Sequence, residues 1–229
     1  MPKPKILLFD LETSNLNANF GYMISAAWKW LGEKKIYAVS VADAANKGKM
    51  NNDKYVAIEM SKAILEADVI VGHYSKKFDI PFLQTRLLFH GLKMLPNVPH
   101  VDTWGIARKH LKFNSNRLAS LADFLGLPEK TPVKGRIWNE AMGGDPKAIK
   151  YIVDHNRQDV VVLERVYNLI RPLLQSHPNL RLLLNDKRKC STCAEGHVIK
   201  RGTSLTRTAI RQRLQCNKCG AWTTEPLEH

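Results

Sequence analysis

The chain has 229 residues, 44% of them hydrophobic and 24% charged, proportions that exclude a mainly disordered, fibrous or membrane-embedded protein. That length allows one core of ordinary size and a small second unit. Lys and Arg number 35 against 21 Asp and Glu, a formal net charge of +14, which points to a polyanionic partner and to nucleic acid above all.

Only four apolar residues separate Met1-Pro-Lys-Pro-Lys from Asp10, too few for a signal peptide, and no uncharged apolar run approaches the roughly 18 residues of a membrane span. The expectation is a cytoplasmic protein without membrane contact, nucleoid-associated or, if virus-encoded, in the host cytoplasm. All four cysteines follow residue 189, so disulfides cannot staple the main body. Leu227-Glu228-His229 reads as the remnant of a cloning site and purification tag.

Residues 5–9 form an apolar run ending at Asp10 and predict a buried central strand. Residues 21–31 and 35–41, parted by Gly32-Glu33-Lys34, predict a hairpin. Val56, Ile58, Ala63 and Ile64 give residues 55–66 helical periodicity, and 68–72 is a compact apolar strand. A helix follows over 80–89, with Pro81 in its first turn and Gly91 just past its end. Residues 100–103 predict a short strand, followed by helices at 104–111 and 117–125. The stretch 128–144 carries Pro, Gly and Thr without periodicity and predicts a loop or lid-like segment. Asp145 as N-cap and Pro146 behind it start a helix that runs to about residue 174, with one break near His155 left open. Early strands and late helices, with one alternation between them, predict an α/β or α+β sheet with helices on its faces. Composition turns polar and basic at residues 186–189, where a second unit begins.

Three acidic segments stand out. Asp10 and Glu12 are two apart on a strand and project from one face, where their repulsion is best relieved by a divalent cation. Asp79 opens a helix just after a strand that ends in glycine. His155 and Asp159 are i and i+4 on the late helix and share a face. Each also has a plain reading, as a solvated strand end, a dipole-complementing acid or a surface pair.

In order, Phe9-Asp-Leu-Glu-Thr13, residues 72–82 with Phe78-Asp79, and His155 to Asp159 resemble the three motifs of the DEDD family of 3′-5′ exonucleases, on the ribonuclease H-like fold. The resemblance covers about residues 4–174 and extends to Val101-Asp-Thr-Trp104 and residues 117–126. It implies a mixed sheet flanked by helices, with Asp10, Glu12, Asp79 and Asp159 holding two Mg²⁺ or Mn²⁺ ions and His155 as general base. Two metals about 3.5–4 Å apart provide a nucleophilic water and neutralise the transition state. Thr13, Tyr74 and Lys76 are candidate contacts to the substrate strand. Three residues separate His155 from Asp159, the spacing of the family's tyrosine subgroup, so His155 takes the tyrosine's place; Tyr151, one turn earlier, is the weaker alternative base. Tyr74 stands where the family often has Asn.

Cys190-Ser-Thr-Cys193 and Cys216-Asn-Lys-Cys219 are two knuckles with 22 residues between them, a spacing that predicts one tetrahedral four-cysteine zinc site whose metal supplies most of the unit's folding energy. The segment resembles zinc ribbons of DNA-handling proteins, with strands at 198–202 and 211–215. Lys200, Arg201, Arg207, Arg211 and Arg213, with Glu195 as the only acid between the pairs, favour a phosphate-contacting face. The ribbon's alternative role is docking to a polymerase or another replication or repair protein.

The expected organisation is an exonuclease domain over residues 1–178, a basic linker at 179–189, a zinc ribbon at 190–226 and the remnant at 227–229. The expected activity is removal of nucleotides from a 3′ end as 5′-monophosphates, on single-stranded DNA or 3′ overhangs. An RNA exonuclease, a structure-selective endonuclease on the same fold and a non-catalytic nucleic-acid-binding or polymerase-docking protein remain as alternatives.

Overall fold

Strict alternation along β1 (Ile6–Thr13) divides the molecule into two cores. Leu7, Phe9 and Leu11 pack on one side of the sheet, Ile6 and Leu8 on the other, as the two-residue period of a strand requires. The structure, a computed structural model, describes residues 3–43, 52–127, 133–174 and 177–227. β2 (Met23–Trp30) pairs antiparallel with β1, and β3 (Tyr37–Ser40) antiparallel with β2. On the other flank β4 (Val69–Gly72) runs parallel to β1, and β5 (His100–Asp102) parallel to β4. The order is β3-β2-β1-β4-β5, the mixed sheet expected from sequence.

Helices cover both faces, which is why β4 is buried along its whole length. α1 (Lys54–Leu65) and α2 (Asp79–Phe89) close the Leu7 side; α3 (Thr103–His110) and α4 (Leu118–Phe124) close the Ile6 side. Part of the expected loop at 128–144 is also a helix, α5 (Gly135–Met142). Eight residues starting with Gly give too short a window for periodicity to register, yet Ile137, Trp138 and Ala141 lie on one face against the first core and Arg136 pairs with Glu140 at i,i+4. Residues 128–132 and the terminal Glu228-His229 lie outside the described residues.

α6 (Pro146–Ile170) serves both cores, giving Ile149 and Ile152 to the first and Leu163, Val166 and Tyr167 to the second. Its start is the predicted one, since the Asp145 side chain accepts the Ala148 N–H at 2.7 Å and Pro146 follows. The helix continues unbroken through His155 for 25 residues. Asn156, the polar residue beside that position, is buried and hydrogen-bonded, so nothing there disrupts the helix.

A buried ion network ties the Leu7 side together. Asp53, fully buried, accepts two bonds from Arg86 Nε, one from Arg86 Nη2 at 2.9 Å and the Met23 N–H at 2.9 Å, and pairs with His90 at 2.6 Å. Asp53→Ala would leave a guanidinium in the core without its partner, so a loss of about 3–5 kcal/mol in urea unfolding is expected; a change below about 1 kcal/mol would mean that water replaces the carboxylate.

Beyond the 3₁₀ turn Arg171–Leu173, the short helix α7 (Arg181–Leu184) leads to a separate antiparallel sheet, β6 (Val198–Leu205), β7 (Ile210–Cys216) and β8 (Trp222–Pro226), in that order. The two expected strands are present and a third, β8, completes the ribbon. This unit is docked: Ala194 joins Leu174 and Leu180 in the second core, the Leu180 N–H donates to Ser191 O at 2.8 Å, and Arg181 pairs with Glu225. No described helix is long and apolar enough to cross a membrane.

Candidate functional site

β4 ends at Gly72 while β1 continues to Thr13, so the far half of β1 has no strand beside it on that flank. The exposed edge is taken up by Asp79 at the start of α2, whose Oδ1 accepts the Leu11 N–H at 3.1 Å. Asp10 and Glu12 therefore lie inside a strand and not at its end, on the face that carries Ile6 and Leu8. α6 crosses that face and brings His155 and Asp159 to them.

His155 Nε2 lies 3.9 Å from Glu12 Oε1 and 3.8 Å from Asp159 Oδ2, with all three side chains largely buried. One ligand atom from each of these residues falls within 4.8 Å of the other two, which suits a single small cation. Asp10 lies outside that trio: its Oδ2 accepts the Asn156 amide at 2.7 Å, and the Asn156 carbonyl oxygen accepts Ser25 Oγ at 3.1 Å. The amide thus holds one oxygen of Asp10 in place. Asp79 is buried, and that burial pushes its carboxyl up to about 7, with the Leu11 N–H pulling down and the charge of Asp102 adding to the rise. A carboxyl so far from water is a group for which a bound cation would supply the missing charge. The carboxylate oxygens suit a hard divalent cation such as Mg²⁺ or Mn²⁺, with the imidazole beside them.

His155 Nδ1 is buried with no hydrogen-bond partner among the described residues. Neighbouring Asp154 turns outward into pairs with Lys150 and Arg157. Tyr151 is partly buried one turn before His155.

Sequence reasoning missed Asn156 and Asp102. Asp102 Oδ1 accepts Tyr74 N–H at 2.9 Å and Trp104 N–H at 3.0 Å, and Oδ2 accepts Lys76 N–H at 3.1 Å, so one carboxylate caps α3 and pins the loop before Asp79. An Asp directly before Thr103-Trp104 at a helix start was the available signal. The same loop is tight at Gly72, where a Cβ would overlap the Ser75 side chain. Tyr74 adopts φ +64°, a left-handed conformation that costs a non-glycine residue roughly 1–2 kcal/mol. Leu16 and Phe20 stand 80% and 79% exposed on the loop after β1, apolar groups that the polar composition of that loop concealed.

If Asn156 sets the orientation of Asp10, Asn156→Ala should weaken activation by Mg²⁺ or Mn²⁺ about 10–100-fold, read as the metal concentration for half-maximal hydrolysis. An unchanged value would make the amide a packing group.

Of the other predicted contacts, Thr13 donates to Asn15 O at 2.9 Å, while Tyr74 and Lys76 are exposed on the loop before Asp79. Lys200, Arg201, Arg207 and Arg213 are exposed on the ribbon; Arg211 is engaged within it, donating to Thr224. The ribbon meets the nuclease unit near Ile6 and the end of α6. Four strand residues, about 13 Å, separate Ile6 from Asp10, and eleven helical residues, about 16 Å, separate Asp159 from Ile170. The cysteine end of the ribbon and the acids thus lie toward opposite ends of β1.

The four cysteines form the second cluster. Cys190 Sγ and Cys219 Sγ are 3.7 Å apart, as are Cys193 and Cys216, close to the edge of about 3.8 Å of a tetrahedron with Zn–S bonds of about 2.3 Å. N–H groups of Thr192, Gly196, Lys218 and Cys219 point at the sulfurs from 3.3–3.4 Å. Hydrogen bonding from Cys190, then Cys219, pulls the Cys193 thiol far down. The residue after each knuckle has a positive φ, +58° at Ala194 and +72° at Gly220, so both turns have one shape. This is the donor set of a structural zinc ribbon. His197 is exposed and stands outside this cluster.

An acid-lined end of a mixed five-stranded sheet, reached by a helix that carries His and Asp four apart, defines a DEDD-type nuclease domain on a ribonuclease H-like fold. A family profile described as RNase_H superfamily matches residues 7–171, and the chain belongs to that superfamily. A DNA polymerase III of the PolC type from Ureaplasma parvum serovar 3 is 32% identical over 133 residues, 50% of this chain and 9% of that protein. The chain therefore spans about a tenth of that relative. The family B DNA polymerase of the hyperthermophilic archaeon Pyrobaculum calidifontis shares the fold at 19% identity and a TM-score of 0.60, covering 81% of this chain and 28% of its own.

Proposed function

We propose that the protein is a divalent-metal-dependent 3′-5′ exonuclease that releases 5′-monophosphates from single-stranded DNA or 3′ overhangs. The observation that carries this reading is the convergence of Glu12, His155 and Asp159 within 4.8 Å, with Asp10 and Asp79 on either side of the same stretch of β1. Asp10, Glu12, Asp79 and Asp159 hold two Mg²⁺ or Mn²⁺ ions. When bound, these ions supply charge neutralisation at the phosphodiester and acidify water. His155 Nε2, facing Glu12 and Asp159, takes the proton of the attacking water. Asn156 holds Asp10 in place, and the Asp79 carboxylate, tied to the Leu11 N–H, fixes the spacing between α2 and β1. The four cysteines hold a structural Zn²⁺, and the exposed basic residues of the ribbon contact phosphates away from the reacting bond.

DNA as the polymer is supported by the polymerase relatives, and a nucleic acid of either kind by the net charge of +14. A polymerase or another replication or repair protein is the proposed partner, in the cytoplasm. Matched 5′-labelled single-stranded, 3′-overhang and duplex substrates of DNA and RNA, digested with Mg²⁺, Mn²⁺ or EDTA, test this reading. Single-stranded and overhang DNA should be shortened fastest; a clear preference for RNA would replace the substrate assignment.

A further inference from the structure

A cleft of about 1180 Å³ lies where the nuclease unit meets the ribbon, walled by the chain entering β1, the turn after β2, the end of α6 and the first knuckle. None of Asp10, Glu12, Asp79 and Asp159 borders it. Between it and them stands the buried ion pair of Lys29 and Glu164, with Lys29 opposite Leu8, midway between Ile6 and Asp10 on β1. The charge of the cleft is unbalanced. Of its carboxylates, Glu164 is taken by Lys29 and by the Gly32 N–H at 2.7 Å, Glu195 pairs with Lys218, and Glu33 is exposed to water. Arg171 and Lys189 instead meet neutral oxygens, the Asn168 side-chain carbonyl and the Glu195 main-chain carbonyl, and neither pairs with a carboxylate among the described residues. The Arg171 guanidinium is also held in place, 4.7 Å from the centre of the buried Tyr167 ring. A fixed planar cation without a counter-ion, in a concave wall, suits phosphate oxygens. On the nuclease side the half-buried Trp30 lines the cleft, with Lys5 Nζ 5.7 Å from its ring. Such an aromatic wall accepts a flat heterocycle.

We propose that this cleft binds a free nucleoside 5′-phosphate, with the base against Trp30 and the phosphate at Arg171 and Lys189. The site goes beyond the nuclease reading, because it lies apart from the acids and needs no metal. Arg171 follows α6 and Lys189 opens the ribbon, so one ligand bridges the two units. The 5′-monophosphates of the proposed reaction belong to the same chemical class.

The test is isothermal titration calorimetry of the full zinc-loaded chain with thymidine 5′-monophosphate, thymidine and inorganic phosphate, without Mg²⁺ or Mn²⁺ so that no metal recruits phosphate to the acids. The monophosphate should bind with a Kd below about 1 mM, and the other two about tenfold more weakly or worse, since each makes only part of the contacts. Arg171→Gln and Lys189→Gln should each weaken the monophosphate about tenfold, with thermal midpoint and zinc content kept. Arg165→Gln, which removes an exposed cation of α6 outside the cleft, should leave binding unchanged, as should Asp10→Ala. If Arg171→Gln melts lower, Lys189→Gln carries the test, because that side chain meets only a main-chain carbonyl. No binding, equally tight inorganic phosphate, loss of binding in Asp10→Ala, or unchanged affinity in Lys189→Gln overturns the proposal. A short oligothymidine that displaces the monophosphate and is itself weakened by both cleft variants would make the cleft a strand path and overturn it as well. Hydrolysis in Mg²⁺ is measured separately: its absence removes the nuclease reading and leaves the cleft, and cutting without monophosphate binding does the reverse.

Discussion

Replacing Asp10 or Asp159 by alanine is expected to slow hydrolysis of a single-stranded oligonucleotide by about 10³-fold or more, with the thermal transition kept. Stabilisation of transition-state charge by bound metal is worth several kcal/mol, and each 1.36 kcal/mol is about a factor of ten in rate. Neither change breaks backbone pairing, and the Asp10 variant should melt only modestly lower because the buried Asn156 amide loses its acceptor. Asp10 lies in a strand whose pairing with β2 runs through the backbone, and Asp159 lies within α6, where alanine favours the helix. His155→Ala should cost about 10²–10⁴-fold if the imidazole takes the proton of the attacking water. Asp154→Ala serves as the control, because that carboxylate is committed to Lys150 and Arg157 at the surface. Hydrolysis rates with melting curves for the four variants check this, and near-normal rates in both Asp10→Ala and Asp159→Ala would remove the proposed metal site.

Loss of the zinc cluster is the second large effect. Apart from the thiols, the buried apolar residues in or beside the ribbon's described strands are Ala221 and Leu214, with Val198 against the cysteines, far too little apolar area to hold three strands together. Structural zinc contributes roughly 10–16 kcal/mol to such units, so Cys193→Ser is expected to bind less than one zinc per chain and to become sensitive to protease between β6 and β8. Gly196→Ala should act in the same direction with all ligands intact, because an added Cβ would overlap Cys216 Sγ. Hydrolysis of short oligonucleotides should persist in both, since the cysteines sit toward the end of β1 remote from the acids. Zinc content by atomic emission and limited proteolysis decide this; full protease resistance of Cys193→Ser without zinc would contradict it.

The parts of the molecule readable from sequence were those written in local pattern. Alternation marked β1, a compact apolar run marked β4, Asp145-Pro146 marked the start of α6, and two Cys pairs marked the ribbon. α5 escaped because eight residues between Pro- and Gly-rich stretches are too few for a helical period to stand out, and what stabilises them is the apolar surface of α6. The family resemblance nominated Asp10, Glu12, Asp79, His155 and Asp159, while their supports depend on distant partners: Asn156 is 146 residues from Asp10, and Asp53 is 33 from Arg86. Such pairs leave no trace in spacing. The positive φ of Tyr74 was equally hidden, since a tyrosine carries none of the composition that announces a left-handed residue.

The central claim is hydrolysis that begins at a 3′ end. The measurement that tests it most directly is a time course on one 5′-labelled single-stranded DNA beside a circular form of the same sequence, with Mg²⁺ and with EDTA. A ladder that shortens one nucleotide at a time from the 3′ end in Mg²⁺, no products in EDTA and an intact circle are predicted. Cleavage of the circle, or release of the label as the first product, would contradict the account.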